Sequence, residues 1–89
     1  MYHSLSLHVR KALGAFMSRH NQLVAEEDGN GGNHYDVGVE HCTSLDELED
    51  ATGLGSRELY ETLTGREWNR DLEPGPFDIA KAITEAKTA

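Results

Sequence analysis

The sequence predicts a mainly α single domain of four helices, with one short β-strand near residues 35–41 as an option. Three observations carry that prediction. Apolar residues return at three- and four-residue steps as far as Val24, the rhythm of one helix face. Gly53, Gly65, Pro74 and Pro76 divide the second half into pieces of helix length. The chain has 89 residues, enough for one domain over 1–89. Leu, Ile, Val and Phe together number 18, close to the range in which chains stay disordered. The core is therefore small, and a partner or a second copy would help to complete it.

Residues 1–27 read as an N-terminal helix. Leu5, Val9, Ala12, Leu13, Phe16, His20, Leu23 and Val24 fall on one face, and Ser4 or Ser6 stands ready to cap its start. Leu5, Leu7 and Val9 also alternate as a strand would, but the helical rhythm persists to Val24. Gly14 weakens such a helix by about 1 kcal/mol relative to alanine; it marks either a close approach by another helix or a neutral surface position. Asp28 to Asn33 holds too many glycines and asparagines for a regular element, which predicts a mobile surface loop. Tyr35, Val37 and Val39 then alternate with polar or small residues, as on a half-buried strand. One strand is not stable alone, so it pairs with another segment or is extended loop. Loop and strand together fill 28–43.

Ser44-x-x-Glu47 has the capping-box pattern ahead of Leu45 and Leu48, predicting a second helix that Gly53 ends. Ser56 is placed to cap a third, with Leu59 and Leu63 inward, Tyr60 beside them and Gly65 at its end. Trp68 and Leu72 lie four apart, suggesting one helical turn packed on the core. Pro76 suits the first position of a last helix, whose apolar stripe is Phe77, Ala80 and Ile83, with Ile79 and Ala86 alongside. A short turn and this helix make up 66–89.

The net charge of −8 argues against non-specific binding to nucleic acid or anionic lipid. Its distribution says more. Residues 1–24 carry Arg10, Lys11 and Arg19 and no acid, whereas 25–52 carry nine acids and no Lys or Arg. A single cysteine, Cys42, excludes a disulfide scaffold. No apolar run approaches the roughly 20 residues of a membrane span. The N-terminus lacks a signal peptide's order of basic then apolar segment, so a cytoplasmic protein is expected.

The stretch from Leu45 to Leu63 resembles a helix-turn-helix, residues 44–65 in all. It is most similar to that of the small antidote proteins of addiction modules and of phage-repressor-like regulators. The matching residues are Leu48, Ala51-Thr52-Gly53-Leu54, Ser56-Arg57, Leu59-Tyr60 and Leu63-Thr64-Gly65. Gly53 permits the sharp turn, and Leu48 and Leu54 seal the pair. Glu49 stands where that family usually carries alanine. The resemblance implies a second helix laid in the major groove of DNA, presenting Ser56, Arg57 and Tyr60 together with the acids Glu58 and Glu61. Arg57 would read guanine or touch phosphate. Arg10, Lys11, Arg66 and Arg70 would reach phosphates at the rim.

Other candidate sites are thinner. His34, Asp36, Glu40, His41 and Cys42 have metal-ligand chemistry, but no CxxC or HxxxH spacing accompanies them, so no metal is expected. Asp28-x-Asn30 is too short for a calcium loop. Cys42 and His41 are adjacent, and on a strand would point to opposite faces, so they make no nucleophile–base pair. His20 reads as a packed or dimer-edge histidine, and Trp68 as a core anchor. No motif asks for a cofactor, and the sequence points away from an enzyme.

Two functional readings remain. In the first, the chain is a small transcriptional or antitoxin-like regulator that binds DNA weakly, as a homodimer or with a protein partner. In the second, it is an acidic inhibitor or adaptor that docks Asp46, Glu47, Glu49 and Asp50 on a basic protein surface. A phage-encoded anti-defence protein occupying a nucleic-acid-binding surface of its target would look like this. A third possibility is that the acids serve only solvation in a high-salt habitat.

Overall fold

The computed structural model describes residues 2–30 and 34–88. Its elements are a 3₁₀ turn at Tyr2–Ser4 and four helices: α1 (Leu7–Asn30), α2 (His34–Thr52), α3 (Ser56–Thr64) and α4 (Pro76–Thr88). The mainly helical fold agrees with the sequence pattern, and no strand occurs among the described residues.

α1 forms where its periodicity places it. Leu13, Phe16, His20 and Leu23 are buried at steps of three and four, and Val9, Ala12 and Met17 are partly covered. Of the two candidate caps, Ser6 takes the role: the Val9 N–H donates to Ser6 Oγ at 3.3 Å. An added Cβ at Gly14 would meet nothing within 4 Å, so this glycine is the neutral surface position. The helix runs on through Asn30, so 28–30 are helical rather than loop, and 31–33 lie outside the described residues. Extending an existing helix costs far less than starting one, which is how Gly29 is tolerated at its end.

The second correction concerns residues 35–41. The predicted strand is the first two turns of α2, which starts ten residues before the Ser44 capping box. Alternation of Tyr35, Val37 and Val39 covers too few residues to outweigh a helical stripe of His41, Leu45 and Leu48, all buried. A helix also satisfies its own backbone, as a lone strand does not. Val39 is exposed, contrary to a half-buried strand. Ser44 lies inside the helix, buried, and caps nothing.

α2 runs back along α1. The His8 ring nitrogen Nε2 lies 2.7 Å from the Ala51 carbonyl oxygen at one end, and Arg19 meets Glu40 at 3.5 Å further along. The turn at Gly53 is the one the sequence indicates: φ is 72°, and its N–H donates to the Glu49 carbonyl at 2.8 Å. The N-cap of α3 is Gly55, without a side-chain cap; Ser56, predicted as the cap, is its buried first residue. Gly65, at φ 69°, ends α3.

Residues 66–75 form no helical turn. The chain instead wraps Trp68, whose indole N–H donates to the Leu72 carbonyl at 2.7 Å and whose backbone N–H donates to Glu61 Oε2 at 3.1 Å. Trp68 is buried as predicted, but Leu72 is 82% exposed, because its carbonyl rather than its side chain faces the indole. α4 begins at Pro76, and the Gly75 N–H donates to Asp78 Oδ2 at 3.0 Å. Ile79, Ala80, Ala82, Ile83 and Ala86 bury its inner face. α4 closes one core with Leu13, Phe16, Leu45, Leu48, Leu59 and Leu63 from the other helices. Phe77, placed on the apolar stripe by the sequence, is 56% exposed.

Candidate functional site

Three local arrangements hold chemistry. The first is a groove of about 230 Å³ between α1 and α2. Phe16 and Leu48 lie at its base, where both belong to the core. Ala12, Ala15, Ser44 and Ala51 line its walls, so the walls are low and largely apolar. Arg19 and Glu47 stand at its edge. A second hollow of about 200 Å³ shares Arg19, Ser44 and Glu47 and reaches on to Glu40 and Thr43. The two form one channel along the helix pair.

The outer face of α2 continues from that edge. Asp46, Glu47 and Asp50 are exposed, and none meets a cation among the described residues. Asp46 and Asp50 lie one turn apart on the same side. Glu49 points elsewhere: it is half-buried, and a Cβ on Gly55 would lie 4.0 Å from its carboxylate. Three of the four acids predicted as protein contacts are thus presented to solvent together, and Glu49 is not.

The second arrangement is a polar cleft of about 160 Å³ at the α3–α4 corner. Tyr60, Arg66 and Arg70, three of the predicted DNA contacts, line it with Lys81. Two of the three cations here are engaged, and Lys81 is exposed. Arg66 pairs with Glu85 at 3.0 Å, and the Arg70 guanidinium lies 5.0 Å from the Trp68 ring centre. Tyr60 sets its ring edge-on to Trp68 at 4.9 Å. Arg57 projects from α3 toward Glu73 at 3.8 Å. Ser56 is buried and is not presented to a ligand. Arg10 and Lys11 lie on α1, apart from these; the Arg10 Nε–H donates to the Leu5 carbonyl at 3.1 Å, and Lys11 is exposed.

The third arrangement joins α1, α2 and α4. The rings of His20, His41 and Phe77 meet with centres 4.9 to 5.0 Å apart, and Phe16 stacks on His20 at 5.9 Å. Both histidines are buried, and among the described residues neither His41 nitrogen nor His20 Nδ1 has a hydrogen-bond partner. Burial, and then the neighbouring His41, hold the His20 ring below its ordinary pKa. A His20 ring held toward its neutral form and packed against Phe16 and Phe77 is an apolar contact that acid would disturb. His20 was legible as a packed residue. His41 was not, because its inward direction depends on α2 being helical there. Among the described residues, no group of three or more His, Cys, Asp and Glu is placed to hold a metal. Cys42 is exposed while the adjacent His41 is buried, so the two face apart on α2 as well.

No helix among the described residues is long and apolar enough to cross a membrane. No known protein family, curated protein or solved structure matches the chain.

Proposed function

We propose that this chain is a non-catalytic binding protein whose acidic α2 face docks on a basic surface of another protein. The observation that carries this reading is the exposed row of Asp46, Glu47 and Asp50, which meets no cation among the described residues. α2 carries six acids and no Lys or Arg. Unpaired charges of one sign add their fields, steer a partner of opposite charge and repel polyanions. A protein surface that otherwise holds nucleic acid is basic in the required way, which makes an inhibitor or adaptor the matching role.

The test is affinity capture from cells that carry the gene, with and without nuclease. A protein partner retained after nuclease, and lost with Asp46→Lys plus Asp50→Lys, is the expected result. A partner that disappears with nuclease would sink the reading.

One observation favours a second reading, that of a small helix-turn-helix regulator binding DNA weakly: Tyr60, Arg66, Arg70 and Lys81 line a single cleft. On that reading duplex DNA is retarded at low salt, and the binding falls steeply as salt rises. Arg57→Ala and Arg66→Ala would then weaken it. The pairing of Arg57 and Arg66 with carboxylates, and the acids of α2 beside them in sequence, make this the weaker account.

A further inference from the structure

We propose that two copies of this chain pair through the channel between α1 and α2, forming a four-helix bundle. The channel fits a helix. Its walls of Ala12, Ala15, Ser44 and Ala51 are low enough for another helix to approach to about 8 Å between axes. Its lining residues also keep a repeating step. On α1 they fall at 12, 15, 16 and 19, and on α2 at 40, 43, 44, 47, 48 and 51, so each helix offers one face whose members recur at three and four. Alternating steps of three and four are the rhythm by which helices pack in left-handed bundles.

Charge identifies the occupant. The α1 edge carries Arg19, Lys11 is exposed one helical turn before Ala15, and the first 24 residues contain no acid. The α2 edge carries Glu40 and Glu47, and 34–52 contains no Lys or Arg. The two edges are therefore complementary to each other. Within one chain, the contacts of His8 with Ala51 and of Arg19 with Glu40 fix which residues of the two helices share a level. A two-fold axis parallel to the hairpin lays α1 of one copy over α2 of the other at those same levels. Arg19 of each copy then approaches Glu40 of the other, and Lys11 approaches Glu47. Each contact occurs twice, as a two-fold interface requires. Asp46 and Asp50, turned away from the channel, stay free for the partner proposed above. The pairing does not depend on that partner.

Sedimentation of the full chain through the micromolar range tests this. A mass twice 9.8 kDa is expected, with reversible dissociation on dilution. Ala15→Trp fills the channel at an exposed position and alters no charged residue, and is expected to give a monomer of unchanged helicity. Arg19→Glu weakens pairing at least about tenfold, the scale of a charge pair turned repulsive. Adding Glu40→Arg to it restores the dimer, since the swap preserves complementarity within and between copies. A wild-type chain that remains monomeric throughout, or an Ala15→Trp dimer as tight as wild type, overturns the proposal.

Discussion

The α1–α2 hairpin and the α3–α4 corner handle charge in opposite ways. At the corner, Arg57 and Arg66 pair with Glu73 and Glu85, and Arg70 lies on Trp68. On the hairpin, Arg19 meets Glu40, but Asp46, Glu47 and Asp50 meet no described cation. A paired charge contributes little to the field that an approaching molecule feels, whereas a row of unpaired carboxylates contributes all of it. The arginines of the corner are therefore held by their own neighbours, while the acids on the outer face of α2 stand exposed, which is what the recognition proposed above requires. Counting acids and bases along the chain does not separate these cases, because Arg57 and Asp50 look equally available in sequence.

The largest effect that would break the comparison is at Trp68. It organises the corner by covering Tyr60, seating Arg70 and bonding the Leu72 carbonyl. Trp68→Ala is expected to lower unfolding free energy by about 3 kcal/mol, read by urea denaturation. A loss within error would mean that the corner is not held by this ring.

The next effect is pH. His20 is held below its ordinary pKa of 6.5 by burial and by His41. The unfolded chain therefore binds more protons than the folded one once pH drops below that value. Stability is full above pH 6.5 and falls as pH decreases, by up to about 1.4 kcal/mol per pH unit for one proton. Thermal melts between neutral and mildly acidic pH check this, and His20→Leu should flatten the slope. Stability that rises on acidification would place a carboxylate partner beside the ring.

Smaller effects sharpen the picture. Gly14→Ala should add about 0.5–1 kcal/mol, because the site is helical and a Cβ meets no neighbour there. Arg66→Ala should cost no more than about 1 kcal/mol in the same melts, since its pair with Glu85 is surface-exposed. A larger loss at Arg66 would make that pair a structural element of the corner.

Much of the fold was legible because some residues carry conformational information by themselves. Gly53 and Gly65 adopt left-handed φ, and Pro76 begins a helix, so the bounds of α3 and α4 followed from residue type. Leu13, Phe16 and Leu23 followed from a period sustained over many turns. The start of α2 was not legible. Tyr35, Val37 and Val39 alternate locally, and the contact with α1 that favours helix comes from residues far away in sequence. Ser44 is no cap because the turn before it is already helical, and Ser56 is none because Gly55 takes the cap position and the serine is buried as the first helical residue. At the candidate site, Glu47 and Asp50 were visible as charge. The channel beside them was not, since it needs Ala15 and Ala51 to lie near each other across 36 positions of chain.

The most direct test sets the two regions against each other in one capture experiment. Wild-type chain, the hairpin variant Asp46→Lys with Asp50→Lys, and the corner variant Arg66→Ala with Arg70→Ala are immobilised side by side and exposed to nuclease-treated extract. The wild-type and corner chains are predicted to retain the same protein partner, and the hairpin variant to lose it. Retention by the hairpin variant with loss by the corner variant would contradict the account, and would move recognition to the cleft lined by Tyr60, Arg66 and Arg70.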